Sequence, residues 1–341
     1  MSANGKVKTW AEVWTLYEQR CRTKRVNKLS MENYRRTAGR FAAWADEEGI
    51  APADLEPLDM IRYTGSLQRQ DGQPYAPGTL YTHCKDLKTL VNFAADYKII
   101  PERIKVEMPR LKEGDPQALN DEELKVVLDY FEGRAHLNPR DTAIVHLLLD
   151  TGLRSAELRA LKWDDLIWNE ERQQGTIHVD KQINRNREYV PVKNGRPRDV
   201  YFRARAWRYL LANKADLSGQ VDFHNRRPWH AFPVNTETGP VFWAWPQVDK
   251  PDVLAHSGLA YMLRTAGERI GIPLRPHIFR HTCGRLLTIA GVPAMAIKEI
   301  LGHSSLKMVE HYSRLWGRDV ENLYFERMNG HGEPEEEPEP A

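Results

Sequence analysis

The amino-acid sequence lacks the features that mark a secreted, membrane-bound or disulfide-stabilised protein. Its 341 residues include only three cysteines, Cys21, Cys84 and Cys283, and no C-x-x-C pair, so neither a disulfide framework nor a zinc finger is expected. No apolar run approaches the length of about 20 residues that spans a bilayer. Residues 1–14 lack the apolar core of a secretory signal. We therefore expect a cytoplasmic protein without a membrane partner.

The formal net charge of +2 conceals an uneven distribution of charge. Residues 331–341 hold five glutamates and no Lys or Arg, and this Pro-Glu tail is predicted to be disordered. Between Arg20 and Arg40 there are eight basic residues and one acidic residue, Glu32. Such a surface is typical of proteins that bind a polyanion such as nucleic acid. Charge alone leaves a solvated helix face as an equal alternative.

Hydrophobic periodicity predicts a helical region over residues 9–108. Ser30 is a candidate N-cap for a helix with an apolar stripe that includes Tyr34, Ala38 and Phe41. A second stripe runs through residues 78–100 and contains Leu80, Cys84, Leu87, Val91 and Ala94. The basic side chains that lie off the two stripes are Arg36, Arg40, Lys85 and Lys88. They are candidates for contacts with DNA phosphates, and ordinary surface charge is the alternative.

Composition divides the chain into four segments. These are a helical domain at 1–110, a linker at 111–120, a second domain at 121–330 and the acidic tail at 331–341. Residues 109–120, which include this linker, carry two prolines, a glycine and few apolar side chains. Asn120, followed three residues later by Glu123, predicts a capping-box start for the next helix.

The second domain is predicted to be mainly helical. Residues 140–166 form an apolar helix that breaks at Thr151-Gly152, and another helix begins near Ser155. Further helices are predicted near 203–213 and at 257–271, 277–290, 293–302 and 305–315.

A small β-sheet or hairpin is predicted between these helices. Residues 175–181 alternate as a strand does, and two short strand-like runs within 188–202 flank the hairpin-turn dipeptide Asn194-Gly195. The Trp-rich segment 214–256 has no clear period and is predicted to be a long insertion. Its tryptophans would build a satellite core, or touch DNA or a neighbouring protomer; they are Trp229, Trp243 and Trp245.

Four motifs of the second domain carry residues that could act on a phosphodiester. The motifs are 151-TGLRSAEL-158, 192-VKNGRPR-198, 276-PHIFRHT-282 and 301-LGHSSLKMVEHY-312, and they supply Arg154, Lys193, His277, Arg280, His303 and Tyr312. Each residue also has a purely structural explanation. Arg154 can pair with a glutamate three residues later, Lys193 can lie at a hairpin edge, and Tyr312 can pack in the core. His277 and His281 could be a surface pair or half of a metal site.

Taken together, the six residues suit one reaction, the attack of a tyrosine on a phosphodiester. Two arginines can each offer a planar fork of donors to the non-bridging oxygens of a phosphodiester, where negative charge builds in the transition state. A tyrosine hydroxyl becomes a nucleophile when a neighbouring histidine accepts its proton. A lysine can protonate the departing 5′-oxygen. This chemistry requires no metal ion.

The four motifs resemble those of the tyrosine recombinases, the phage integrase and Xer-type group. That family's pattern is an arginine in G-L-R-x-x-E-L, a lysine at a β-hairpin turn, H-x-x-R, L-G-H-[S/A] and a tyrosine nine residues on. All of these occur here in order, within residues 115–325, and residues 8–108 resemble the family's core-binding domain. The resemblance implies a mainly α protein with a small β-sheet or hairpin. It also implies a two-domain, C-shaped DNA clamp with an N-terminal helical core-binding domain and a C-terminal catalytic domain.

The resemblance implies a role for each motif residue. Tyr312 would attack the scissile phosphate and form a 3′-phosphotyrosyl link, while Arg154 and Arg280 clamp the phosphate. His277 would act in proton transfer with Tyr312, and His303 would hydrogen-bond the phosphoryl oxygens.

The remaining implied roles concern the leaving group and the surroundings of the site. Lys193 would protonate the 5′-oxygen. Glu157 would not contact the substrate but would orient the side chains that do. Arg196 and Arg198 flank the hairpin turn and are candidates for DNA binding.

The implied activity is that of a site-specific DNA recombinase acting in integration and excision or in multimer resolution. No metal, cofactor or ATP is implied, and the sequence contains no G-x-x-x-x-G-K-[ST] motif. The implied partners are double-stranded DNA with a specific recombination site and further copies of the chain. The protein would be a homotetramer on DNA and a monomer free in solution.

Several alternatives stay open from the sequence. A type IB topoisomerase-like or telomere-resolving enzyme would use the same six residues, and a non-catalytic DNA-binding protein could share the fold. A zinc enzyme built on His277 and His281 lacks a convincing further set of ligands. Leu323 and Phe325 predict a C-terminal helix that docks either on an adjacent protomer or on its own chain.

Overall fold

The computed structural model describes residues 7–69, 71–111, 118–193, 195–217, 235–243, 253–306 and 309. The chain divides into two compact units, Met1–Glu113 and Gly114–Ala341. Within the described residues, no helix is both long enough and apolar enough to cross a membrane.

In its described residues, the N-terminal unit is a bundle of four α-helices. They are α1 (Trp10–Thr23), α2 (Lys28–Glu47), α3 (Pro57–Ser66) and α4 (Pro77–Asp96). The bundle has its own core, in which Trp10, Phe41 and Leu87 are at most 1% exposed. The Trp10 and Phe41 rings meet edge to face, with centroids 4.7 Å apart.

The predicted apolar stripes of α2 and α4 are the buried faces of these helices. In α2 the predicted N-cap Ser30 was wrong, because the helix begins one turn earlier. Asn27 is the N-cap, and its side-chain oxygen accepts a hydrogen bond from the Ser30 N–H at 2.9 Å. Asn is as good an N-cap as Ser, so the earlier of two suitable residues starts the helix.

The C-terminal unit contains seven of the helices in the described residues. They are α5 (Asp121–Gly133), α6 (Pro139–Thr151), α7 (Ser155–Leu158), α8 (Ala204–Leu217), α9 (His256–Ile270), α10 (Pro276–Ile289) and α11 (Ala294–Leu301). The predicted capping box at Asn120 and Glu123 starts α5. α6 is buried on nearly every side, and Ile144, Leu147 and Leu148 are fully buried.

Five short strands accompany these helices in the part of the unit that the structure describes. They are β1 (Leu166–Asn169), β2 (Gln174–Val179), β3 (Lys181–Ile183), β4 (Tyr189–Pro191) and β5 (Arg198–Arg203). An antiparallel sheet has the order β1-β2-β5, and β3 and β4 form a separate pair. The predicted fold class, mainly α with a small sheet, is therefore confirmed.

The predicted hairpin within 188–202 was wrong in its pairing. Both strand-like runs are strands, but β4 pairs with β3 and β5 pairs with β2. β2 offers six partners to β5 and joins Ile177 to Val200 in the core, which the three-residue β4 cannot do. Gly195 has a φ of +60° in the connecting turn, and its N–H donates to the Val192 carbonyl.

The Trp-rich segment contributes to the main core where it is described. Val241 and Phe242 are fully buried there, and the Val241 carbonyl accepts a hydrogen bond from Asn213 Nδ2 at 3.0 Å. This part of the segment therefore belongs to the core of the C-terminal unit. Trp243 is half-buried, and Trp229 and Trp245 lie outside the described residues.

Candidate active site

The break between α6 and α7 places Arg154. Gly152 ends α6 with a φ of +59°, and an added Cβ would overlap Leu301 Cδ2 and lie 3.2 Å from Cys283 Sγ. Glycine is required by both the left-handed backbone and the close approach. Arg154 then precedes α7, and its N–H donates to Glu157 Oε2 at 2.9 Å.

Glu157 is the buried anion of the site, with 1% of its surface exposed. Oε1 accepts from Arg154 Nη1 at 2.8 Å and from Arg198 Nη1 at 3.0 Å, and Oε2 also accepts from Arg198 Nη2 at 2.7 Å. Burial alone would raise the pKa of Glu157, but the hydrogen bonds and charges of Arg198 and Arg154 outweigh burial and lower it. Glu157 is therefore ionised at neutral pH.

The C-terminal end of α11 receives hydrogen bonds from three arginines. Arg198 Nε donates to the Ile300 carbonyl at 2.8 Å, Arg280 Nη2 donates to the Leu301 carbonyl, and Arg154 Nη2 donates to the Gly302 carbonyl at 2.8 Å. The last carbonyls of a helix lack partners within the helix and carry partial negative charge, which cations satisfy well. This helix end therefore fixes the position of all three guanidinium groups.

α10 contributes Arg280 and His277. Arg280 is 2% exposed, and its Nη1 also donates to the Gly152 carbonyl at 2.7 Å. His277 lies in the first turn, and its ring meets that of His281 edge to face at 72°, with centroids 5.1 Å apart. Desolvation and the nearby charges of Arg280 and Arg154 lower the pKa of His277, which favours a neutral ring that can accept a proton.

His303 directly follows the helix end and is 6% exposed. Burial, together with the charges of Arg280 and Arg154, lowers the pKa of His303 to about 3. At neutral pH it is a neutral imidazole with one donor and one acceptor nitrogen. Across the described residues, no group of three or more His, Cys, Asp or Glu side chains could hold a metal ion.

A cleft of about 300 Å³ opens beside these groups. The basic side chains that line it are Arg154, Lys193, Arg196, Arg198 and Lys298. The acidic side chain on the cleft wall is Glu299, whose Oε1 is 3.0 Å from Lys298 Nζ. His303 and Gly302 complete the wall next to the α11 end. This excess of positive charge suits a phosphate group.

The structure brings most of the predicted residues together. Arg154, Lys193 and His303 line the cleft. Arg280 donates to the carbonyl of Leu301, the residue before Gly302 of the cleft wall, and His277 is not among the lining residues. Tyr312 lies outside the described residues. In the N-terminal unit, four candidates for DNA binding are exposed; they are Arg36, Arg40, Lys85 and Lys88.

Arg198, a predicted DNA contact, lines the cleft, but its side chain is only 8% exposed and its guanidinium is held by Glu157 and the Ile300 carbonyl. Strand alternation could have indicated this, since Arg198 shares a face with the buried Val200 and Phe202. Lys298 was missed as a cleft residue. It lies in a helix that was predicted from the sequence, but no feature of the sequence indicates that this helix lines a cleft.

A model of the phage integrase family matches residues 117–316, which is more than half of the chain. The chain belongs to the phage integrase family. The resemblance inferred from the four motifs is thereby confirmed.

Curated relatives of this phage integrase family member are tyrosine recombinases. Tyrosine recombinase XerA of Saccharolobus solfataricus is 24% identical over 285 residues, which cover 82% of this chain and 80% of that protein. XerA of Thermococcus kodakarensis is 28% identical over 262 residues, covering 77% and 78%. XerC of Myxococcus xanthus is 26% identical over 266 residues, with the same coverage of 77% and 78%.

Solved structures of other recombinases share the fold of this integrase family member. The integrase of the Tn1549 transposon, in complex with a circular intermediate DNA, superposes with a TM-score of 0.65 at 18% identity. That match covers 92% of this chain and 99% of the other. The XerH site-specific recombinase bound to a palindromic difH substrate gives a TM-score of 0.62 at 16% identity, covering 93% and 84%.

Proposed function

We propose that this chain is a site-specific DNA recombinase that cleaves and rejoins DNA through a 3′-phosphotyrosyl intermediate. The observation that carries the proposal is the basic cleft, in which Arg154, Lys193 and His303 meet beside the buried Arg280. The relatives named above are recombinases, and two of the similar structures hold DNA. Both facts support a DNA phosphodiester as the occupant of the cleft.

In the proposed reaction, the scissile phosphate binds against Arg154 and Arg280. Their guanidinium groups are already fixed by backbone carbonyls, so they need little reorganisation when negative charge builds on the phosphoryl oxygens. His303 is neutral at physiological pH and donates a hydrogen bond to the same oxygens. This fixed arrangement lowers the barrier to attack at phosphorus.

Tyr312 is the proposed nucleophile, and it follows His303 by nine positions. Its hydroxyl oxygen forms a bond to phosphorus while the bond from phosphorus to the 5′-oxygen breaks. The Tyr312 proton passes to His277, whose lowered pKa leaves the ring free to accept it. Lys193, on the exposed turn after β4, gives a proton to the departing 5′-oxygen.

The second half of the reaction reverses these steps on another strand. A 5′-hydroxyl from the partner duplex attacks the phosphotyrosyl bond and releases Tyr312. The number of phosphodiester bonds is unchanged, so neither ATP nor a metal ion enters the scheme.

The N-terminal unit is proposed to contact the DNA backbone. Arg40 is held in place there, because its guanidinium carbon lies 5.4 Å from the Tyr75 ring centroid and its Nη1 donates to the Tyr75 hydroxyl. Arg36, Lys85 and Lys88 supply further exposed cations. In this proposal phosphate contacts provide most of the affinity for DNA.

The proposed assembly is a homotetramer on two recombination sites, formed from chains that are monomers when free. Leu323 and Phe325, which predict a docking C-terminal helix, lie outside the described residues. The proposed location is the cytoplasm, which suits three cysteines that are all free and buried.

Cleavage of a nicked duplex tests the proposed function. The nick lets the short strand beside the cut diffuse away, so the covalent complex accumulates and is seen as a band that survives SDS. We expect this band with the wild-type protein in the presence of EDTA and its absence with Tyr312→Phe. A band with Tyr312→Phe would refute the assignment of the nucleophile, and relaxation of any supercoiled plasmid would favour a type IB topoisomerase instead.

A further inference from the structure

Arg198 holds a position that the proposed chemistry does not use. It makes no assigned contact with substrate, yet both of its Nη atoms donate to Glu157, at 3.0 and 2.7 Å. Arg154 donates to the same carboxylate through its Nη1 and its backbone N–H, at 2.8 and 2.9 Å. One buried carboxylate is therefore shared by two arginines. Arg154 is the more exposed of the two, with 25% of its side chain accessible to solvent against 8% for Arg198.

The charges of this trio decide what Arg154 can offer a phosphate. Arg154 and Glu157 alone would be a neutral pair, and a carboxylate behind the arginine would weaken its attraction for an anion. Arg198 supplies a second positive charge, so that the trio carries a net charge of +1. Because Glu157 is buried, solvent does little to screen this effect.

Arg198 also holds the end of α11. Its Nε donates to the Ile300 carbonyl, and its side chain lies so close to Gly302 that an added Cβ there would come within 3.0 to 3.1 Å of it. His303 is the next residue in the chain. The same guanidinium thus joins the carboxylate behind Arg154 to the segment that carries His303.

The β-sheet explains how Arg198 reaches this place. It is the first residue of β5, paired with Val179 of β2, and alternation puts it on the same face as the buried Val200 and Phe202. The sheet therefore fixes the backbone position from which its side chain reaches Glu157. The planar guanidinium is pre-organised, so less entropy is lost for each hydrogen bond that it forms.

We propose that Arg198 is a positioning residue for strand cleavage. It neutralises Glu157 and anchors the end of α11, so that the charge of Arg154 and the ring of His303 face the scissile phosphate. This inference rests on the proposed function and deepens it. In this proposal Arg198 acts through Glu157 and the Ile300 carbonyl, and not by direct contact with the reacting atoms.

The first test measures single-turnover cleavage of the nicked duplex. With Arg198→Met we expect the cleavage rate to fall by about 10- to 100-fold, the usual range for residues that orient a site without contacting the substrate. The Kd for the duplex should stay within a factor of about 3 of the wild-type value, because surface phosphate contacts supply most of the affinity. Arg198→Lys keeps the charge without the planar fork, so its rate should lie between the two.

Arg203→Met is the matched control. Arg203 lies on the same strand and forms an ion pair with Asp150, whose side chain is 4% exposed, but it does not line the cleft. Its removal should lower the urea midpoint while leaving the cleavage rate of the folded protein within a factor of about 3 of wild type, as expected for a change outside the site. Circular dichroism confirms that each variant is folded before its rate is compared.

A double variant tests whether Arg198 acts through Glu157. In Arg198→Met the carboxylate keeps its charge and pairs with Arg154 alone. Adding Glu157→Gln removes that charge and frees Arg154, so Arg198→Met/Glu157→Gln should cleave faster than Arg198→Met. A purely structural role predicts the opposite, because two changes in one buried cluster would destabilise it further.

A substrate with a neutral methylphosphonate at the scissile position gives an independent readout. The non-bridging oxygen that carries the negative charge is replaced by a methyl group, so the charge available on Arg154 matters less. The rate ratio of wild type to Arg198→Met should be smaller on this substrate than on the normal phosphate. An unchanged ratio would overturn the electrostatic part of the inference.

The outcomes separate this inference from the proposed function. If the wild-type protein forms no covalent complex, the proposed function fails. If the wild type reacts and Arg198→Met reacts equally fast, or if the double variant is slower than Arg198→Met, Arg198 is not a positioning residue. If Arg198→Met does not fold, Arg198→Lys decides the matter by its rate on the two substrates.

Discussion

Replacing Gly152 by alanine should damage both the stability of the C-terminal unit and the chemistry of the cleft. Two costs add at this position. The left-handed backbone, with a φ of +59°, costs about 1–2 kcal/mol for a residue with a Cβ. The Cβ would also overlap Leu301 Cδ2 and press on Cys283 Sγ, and overpacking of this kind costs about 1–3 kcal/mol.

Gly271 provides a control for the first cost alone. It ends α9 with a φ of +73°, and an added Cβ there would meet no atom within 4 Å. Gly271→Ala should therefore lower the free energy of unfolding by about 1–2 kcal/mol, and Gly152→Ala by about 2–5 kcal/mol. Urea unfolding of the full chain, followed by circular dichroism, measures the difference between the two.

The effect on catalysis distinguishes the two variants further. The Gly152 carbonyl accepts a hydrogen bond from Arg280 Nη1 at 2.7 Å, and the added methyl would push Leu301, whose carbonyl holds Nη2 of the same arginine. Gly152→Ala should thus slow single-turnover cleavage under conditions where it is fully folded, whereas Gly271→Ala should not. Equal losses of stability in both variants, with equal cleavage rates, would show that the contact with Leu301 does not constrain the site.

Four further predictions concern pH, the leaving group and salt. The depressed pKa of Glu157 stabilises the protein above the ordinary value of 4.5, so the stability advantage of wild type over Glu157→Gln should disappear in urea titrations as the pH falls below that value. His303 takes up a proton in the unfolded chain below its ordinary pKa of 6.5 but in the folded protein only near 3, so acidification between these values should destabilise wild type more than His303→Gln. Lys193→Ala should cleave slowly, and a 5′-thio leaving group should restore its rate, because a thiol is far more acidic than an alcohol and leaves without being protonated; no restoration would exclude Lys193 as the proton donor. Arg40→Ala should lower the slope of log K against log salt by about 0.9 if it contacts one phosphate, and filter binding at several salt concentrations measures this slope.

Local signals allowed much of the helical framework to be predicted. The capping box at Asn120 and Glu123 and the break at Gly152 depend on residues within one or two turns, and the structure confirms both. The apolar stripes of α2 and α4 are equally local. The error at Ser30 was also local in origin, since Asn27 competes for the same role.

Strand pairing could not be predicted in the same way. The dipeptide Asn194-Gly195 favours a turn, but the partner of β5 is decided by which strand joins Val200 and Phe202 to the core. That choice depends on β2, some 20 residues away, and on the helices beneath it. The place of Arg198 follows from the same choice, which is why its part in the site became visible only with the sheet in place.

The candidate site could be predicted as a set of residue types but not as a geometry. The motifs supplied Arg154, Arg280 and His303, whereas the contacts that orient them involve main-chain carbonyls. A carbonyl has no sequence signature, because every residue carries one.

The three arginines that bond the carbonyls of residues 300, 301 and 302 recognise the path of the backbone and not the side chains along it. Exchanging Ile300 for another aliphatic residue leaves its carbonyl, and hence its hydrogen bond, in place. Inserting or deleting one residue in α11 would instead rotate its end by about 100° and break all three bonds at once. This part of the chain should therefore tolerate amino-acid substitutions far better than insertions or deletions. The rule is useful for engineering variants with new DNA targets.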